Sequence, residues 1–83
     1  MASIIKADGG TESVDLVQGT AQLDQLQTIV GGYIEQVRLR NGDDMWVNED
    51  GGRLKLEANG LASEIAEQDI VGNVVVTYPG EVE

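Results

Sequence analysis

The sequence predicts an α+β domain: a small mixed, mostly antiparallel sheet with two short helices, in the order ββ-α-βββ-α-β. Three observations carry this. Apolar and polar residues alternate in short runs, as in Ser13-Val14-Asp15-Leu16 and Val37-Arg38-Leu39-Arg40, the pattern of strands with one buried face. Leu23, Leu26, Ile29 and Val30 recur at helical spacing. Eleven glycines punctuate the chain between these segments. At 83 residues the chain makes one domain, because two halves of about 40 residues would fall where chains without staples stop folding.

Each element has its own signal. Ser3–Ala7 and Thr11–Val17 read as two strands joined by a turn at Asp8-Gly9-Gly10, where glycine accepts positive φ. The first helix follows, with Thr20 as its expected cap and Gly31-Gly32 as its stop. Tyr33–Arg40, Asp44–Asn48 and Arg53–Glu57 read as a three-strand meander, broken by Asn41-Gly42-Asp43 and by Glu49-Asp50-Gly51-Gly52. A second helix is expected over Leu61–Gln68, where Leu61 and Ile65 lie four residues apart. Ile70–Tyr78 is almost continuously apolar, which suits a strand covered on both faces and therefore a central one. Pro79 and Gly80 end it, and residues 79–83 are expected to form a frayed acidic tail.

Composition removes several kinds of chemistry. Without histidine or cysteine the usual general base, the thiolate nucleophile, the disulfide and the soft-metal ligands are all missing. No serine sits in a Gly-x-Ser-x-Gly turn. Fifteen acidic residues make accidental carboxylate pairs unavoidable, so such pairs do not mark an active site. A non-enzymatic protein is expected, with no catalytic residues and no cofactor. Asn48-Glu49-Asp50-Gly51 has a faint likeness to a calcium loop, with Glu57 at the distance of its last ligand. Trp46 occupies the first ligand position, so an ordinary turn is expected there and no metal site. There is no phosphate-loop motif, and Gly31-Gly32 lies at a helix end, where the dipole disfavours anions. No apolar run approaches the roughly 20 residues that span a bilayer. Residues 1–6 lack a basic run followed by an apolar core. No membrane association and a cytoplasmic location are therefore expected.

Leu26-Gln27-Thr28-Ile29-Val30-Gly31-Gly32-Tyr33-Ile34-Glu35 resembles the hallmark segment of the domain-of-unknown-function 3846 family. The likeness extends over residues 1–17, Trp46-Val47-Asn48-Glu49-Asp50-Gly51, Asn59-Gly60-Leu61-Ala62 and Ile70-Val71-Gly72-Asn73-Val74-Val75-Val76, which is nearly the whole chain. The resemblance implies a short protein of bacteria, phages or mobile elements, acting in the host cytoplasm. It brings no established activity and no catalytic residues. It raises an accessory role, countering host defence included.

Charge placement supplies the candidate site. The net charge is −10, which opposes direct nucleic-acid binding and anionic membranes. Four of the five cations, Arg38, Arg40, Arg53 and Lys55, fall in the meander. If Val37, Leu39, Met45, Val47, Leu54 and Leu56 share its buried face, then Arg38, Arg40, Trp46, Arg53 and Lys55 share the other. Guanidinium forks and an indole plane suit a nucleotide-like anion. The same residues also suit a plain solvated face, cation pairing with neighbours such as Asp44, or a contact between copies. The expectation is an accessory binding protein, a homo-oligomer, sequestering a nucleotide-like small anion at this Trp/Arg face. Two alternatives stand beside it. One is an acidic protein-binding inhibitor or nucleic-acid mimic acting on a host protein, and the other is a structural accessory protein.

Overall fold

The computed structural model describes residues 2–82. Seven elements run in the order β1 (Ala2–Ile5), β2 (Thr11–Val14), α1 (Ala21–Val30), β3 (Ile34–Arg38), β4 (Asp44–Asn48), α2 (Gly60–Ala66) and β5 (Val74–Thr77). The five strands form one sheet in the order β2-β1-β5-β4-β3, and every pairing is antiparallel. The α+β class expected from the sequence is the class observed.

The sheet is covered on both faces, by α1 on one and α2 on the other, and β5 lies at its centre, between β1 and β4. Val74 and Val75 are both fully buried and point to opposite sides. Val74 joins Ile5, Leu39, Met45, Val47 and Ile70 beneath Ala62 of α2. Val75 joins Ala2 and Ile4 beneath Leu26 of α1. A nearly continuous apolar run is what such a position requires, since neither face meets water.

The junction after α1 explains the double glycine. Gly31 takes φ 84°, a left-handed conformation that stops the helix, and its N–H donates to Gln27 O. A Cβ on Gly32 would lie 2.9 Å from Asn48 Nδ2. That amide is close because it donates to Val30 O at 3.1 Å, capping the last carbonyl of the helix from β4. Thr20, the expected cap at the other end, makes no side-chain capping bond.

Three expectations are corrected. Arg53–Glu57 is not a strand. Leu54, Lys55 and Leu56 donate their N–H groups back to Asp50, Gly52 and Gly51, so the chain closes into successive turns, with Lys55 at φ 56°. The place beside β4 where a third meander strand would pair is held by β5, through Asp44↔Thr77, Met45↔Val76 and Trp46↔Val75. Of the expected final strand, only Val74–Thr77 is in the sheet, preceded by one isolated bridge, Ala58↔Val71. Past an exposed Pro79 and Gly80 the chain is tied back at Glu81 and Val82 rather than frayed: Tyr78 N–H donates to Glu81 Oε1 at 2.9 Å, and Val82 packs on the cluster under α1. Residue 83 lies outside the described residues.

Candidate functional site

The alternation in β3 and β4 holds where both strands exist, and it fixes the positions of Arg38 and Trp46. Gln36 pairs with Trp46, and Arg38 with Asp44. All four point to the α1 side of the sheet, opposite Met45 and Val47. Arg40, Arg53 and Lys55 do not join them. Arg40 lies past the end of β3 and reaches Glu67 Oε1 at 2.9 Å, beside the end of α2 on the other side. Arg53 and Lys55 lie in the turns after β4, and Arg53 pairs with Asp50 at 3.3 Å. The fold thus brings together only Arg38 and Trp46 of the five candidates. The shared face is lost because residues 53–57 form turns and not a third meander strand, and because β3 ends at Arg38, before Arg40.

The cations are also committed. Lys6 pairs with Glu12 at 2.9 Å and Arg38 with Asp44 at 2.7 Å. With Arg40 and Arg53, four of the five cations in the sequence are held by carboxylates of the chain itself. Asp44 is the most buried of these acids. Its Oδ1 accepts from Gln36 Nε2 at 2.8 Å and from Arg38 Nε at 2.7 Å. Those two donors, Gln36 foremost, hold its carboxyl below the usual carboxylate range against the opposing effect of desolvation.

Trp46 is half-buried, and its Nε1–H donates to Thr77 Oγ1 at 3.0 Å. With its polar atom satisfied by β5, the ring is fixed as a hydrophobic plane. That plane lines a cavity of about 550 Å³ between α1 and the sheet, together with Leu23, Leu26, Ile34 and Val82. At one end it meets the start of α1, at Gly19, Thr20 and Gln22. Small-molecule sites are commonly about 300–1,000 Å³, mostly apolar, with a few polar groups at the margin. Leu23 is 50% exposed because it overhangs this groove instead of facing the core.

Of the residues lining the groove, sequence reasoning singled out Trp46 as a candidate. Leu23 was legible as an apolar helix position, but its spacing fits a core residue equally well. Val82 falls in the segment that the sequence leads one to expect as a frayed tail. Nothing local in the sequence brings residues 20, 34, 46 and 82 together.

The turn with a likeness to a calcium loop has a structural use. Asn48 Oδ1 accepts from Asp50 N–H at 2.7 Å while its Nδ2 holds Val30 O. Among the described residues, no group of three or more acidic residues is placed to hold a metal ion. Among the described residues, no helix is long and apolar enough to cross a membrane.

No curated protein and no solved structure matches the chain. The model of one family covers all of it, residues 1–83, so the likeness first visible around Val-Gly-Gly-Tyr-Ile-Glu extends from end to end: the chain belongs to the family described as Domain of unknown function (DUF3846).

Proposed function

We propose that this protein is a non-enzymatic binding domain, of the accessory kind found in phages and mobile elements, and that it sequesters a small nucleotide-like molecule in the groove between α1 and the sheet. The observation that carries this reading is the cavity of about 550 Å³ against Trp46. A flat ring would lie against the indole plane, where stacking adds to the burial of apolar surface. Its negatively charged group would lie toward the start of α1, at the positive end of the helix dipole; Gln22 N–H is already donated to Gly19 O at 3.1 Å. Arg38 is on the same side of the sheet but already serves Asp44. In this reading the anion is drawn by the helix dipole, not by an arginine cluster.

Trp46 is the only tryptophan, so intrinsic fluorescence reads the groove directly. Titration with nucleoside monophosphates, cyclic nucleotides and dinucleotides tests the reading. A saturable change is expected, and Leu23→Glu should weaken it about tenfold by removing apolar lining and repelling the anion. Leu23 is half exposed, so that variant should keep the fold. A flat titration up to about millimolar probe, a generous ceiling for a site this size, refutes the proposal.

A second reading rests on a different observation. Since four of the five cations are neutralised within the chain, the charge of −10 is expressed by exposed carboxylates on most elements. That surface suits docking against a basic host protein. Capture from host lysate that weakens with salt, and that Leu23→Glu leaves intact, would favour this reading over the groove.

A further inference from the structure

The sheet has two outer strands, and they differ in how they are finished. Along β2, Lys6 N–H donates to Gly10 O at 2.8 Å. Even-numbered residues therefore face β1, and odd-numbered ones turn their backbone groups outward. Farther along that edge, α1 closes it: Gln25 Oε1 accepts from Val17 N–H at 2.8 Å, and Gln25 Nε2 donates to Asp15 O at 3.0 Å. In β3 the odd-numbered residues face inward, because Glu49 N–H donates to Tyr33 O and Leu39 N–H to Asp43 O, each at 2.8 Å. The N–H and C=O groups of Ile34, Gln36 and Arg38 thus point away from the sheet, and among the described residues no helix or side chain closes them. Such an edge is a template for another strand.

We infer that β3 pairs with β3 of a second copy, antiparallel and about a two-fold axis at Gln36, to make a continuous sheet across a homodimer. Three features select a second copy of this chain. Only residues 34, 36 and 38 offer outward bonds, so a two-fold centred on Gln36 uses all three on each side, as Ile34 with Arg38, Gln36 with Gln36 and Arg38 with Ile34. Charge does not oppose that register. β3 carries one acid, Glu35, and one base, Arg38. Neither faces its own kind: Glu35 lies opposite Val37 and Arg38 opposite Ile34. In a chain of net charge −10, this is a strand with no net charge on an otherwise repelling surface. Lastly, Tyr33 is 69% exposed at the start of the strand, and the register sets it against the second copy at residue 39, where its ring loses water contact. The pairing also brings Ile34, which lines the groove, beside Arg38 of the other copy.

Light scattering across concentration tests this. Twice the chain mass of 8.9 kDa is expected at high concentration, with dissociation on dilution. Gln36→Pro removes the two bonds on the axis, while its N–H has no partner within the chain to lose. It should weaken the dimer about tenfold or more. Gln36→Ala loses the same contact with Asp44 but keeps the N–H, and should remain dimeric. Hydrogen exchange on the unmodified protein gives a second readout that does not depend on any variant folding. The amides of residues 34, 36 and 38 should exchange more slowly as concentration rises, and those of residues 11 and 13 should not. A monomer at about 1 mM, where even weak pairs associate, overturns the inference. So does a dimer indifferent to Gln36→Pro, or protection that appears at β2 instead.

Discussion

Replacing Asn59 should cost this domain a large part of its stability. Asn59 is 1% exposed and sits before α2. Its Oδ1 accepts from Ala62 N–H at 3.0 Å, capping the helix. Its Nδ2 donates to Ile5 O at 3.0 Å and to Gly72 O at 2.8 Å. One amide thus joins α2, β1 and the turn that leads into β5, and all three bonds are buried. Loss of an N-cap costs about 1 kcal/mol, and each buried partner left bare costs about 1–3 kcal/mol before relaxation. Because the three share one cavity they do not simply add, and Asn59→Ala should lose about 3–5 kcal/mol. A chain of 83 residues has a total of roughly 4–12 kcal/mol. The Tm should therefore fall by about 12–40 °C, at about 4–8 °C per kcal/mol for a domain this size. Urea unfolding followed by Trp46 fluorescence and circular dichroism measures it. Asn59→Asp keeps the cap acceptor but turns an oxygen toward two carbonyls. Its carboxyl should be raised above the usual range in the folded state, so the variant is weakest at neutral pH and regains stability as pH falls. A loss under about 1 kcal/mol for Asn59→Ala, or an Asn59→Asp protein as stable as the parent at pH 7, would refute the reasoning.

Two further outcomes concern the α1 side of the sheet. Asp44 is depressed in the folded state, so its stabilising contribution is complete above the unfolded carboxyl pKa of about 4 and is lost as pH falls through the lower folded value. Gln36→Leu removes the chief donor, and its stability measured from neutral to acid pH should decline less steeply than the parent's. An unchanged slope counts against the assignment. Thr77→Val strands the indole N–H of Trp46 and should cost about 1–2 kcal/mol, with a shift in tryptophan emission at wild-type fold content; an emission spectrum identical to the parent's would show that the bond has no hold on the ring.

The sheet was legible in the sequence wherever burial has a simple period. Val37 and Met45 fall on one side and Arg38 and Trp46 on the other, as alternation predicts. The run around Val74 and Val75 marked the central strand. Alternation failed at Leu54 and Leu56 because two glycines and three short-range backbone bonds curl that segment before it can pair. The period of a sequence does not report whether a neighbouring place in the sheet is already taken, and here β5 takes it. The shared cation face dissolves for a related reason: Arg53 and Lys55 lie in turns where alternation expects a strand, and Arg40 lies past the end of β3. Trp46 survived because its own strand is real. The groove beside it was not legible, since Leu23, Ile34 and Val82 meet there only through tertiary packing.

The central position of β5 also governs the order of assembly. β1–β2 and β3–β4 are local hairpins, each closed by a short loop, and both can form early. Neither touches the other in the sheet until residues 74–77 slot between them. The two halves are thus joined by contacts of long sequence separation, β1 with β5 above all. Such closure carries a large entropic toll and slows the final step. During synthesis the ribosome must release the last strand before either hairpin gains a lasting neighbour, so nascent chains halted before residue 74 would expose two unfinished ribbons to proteases.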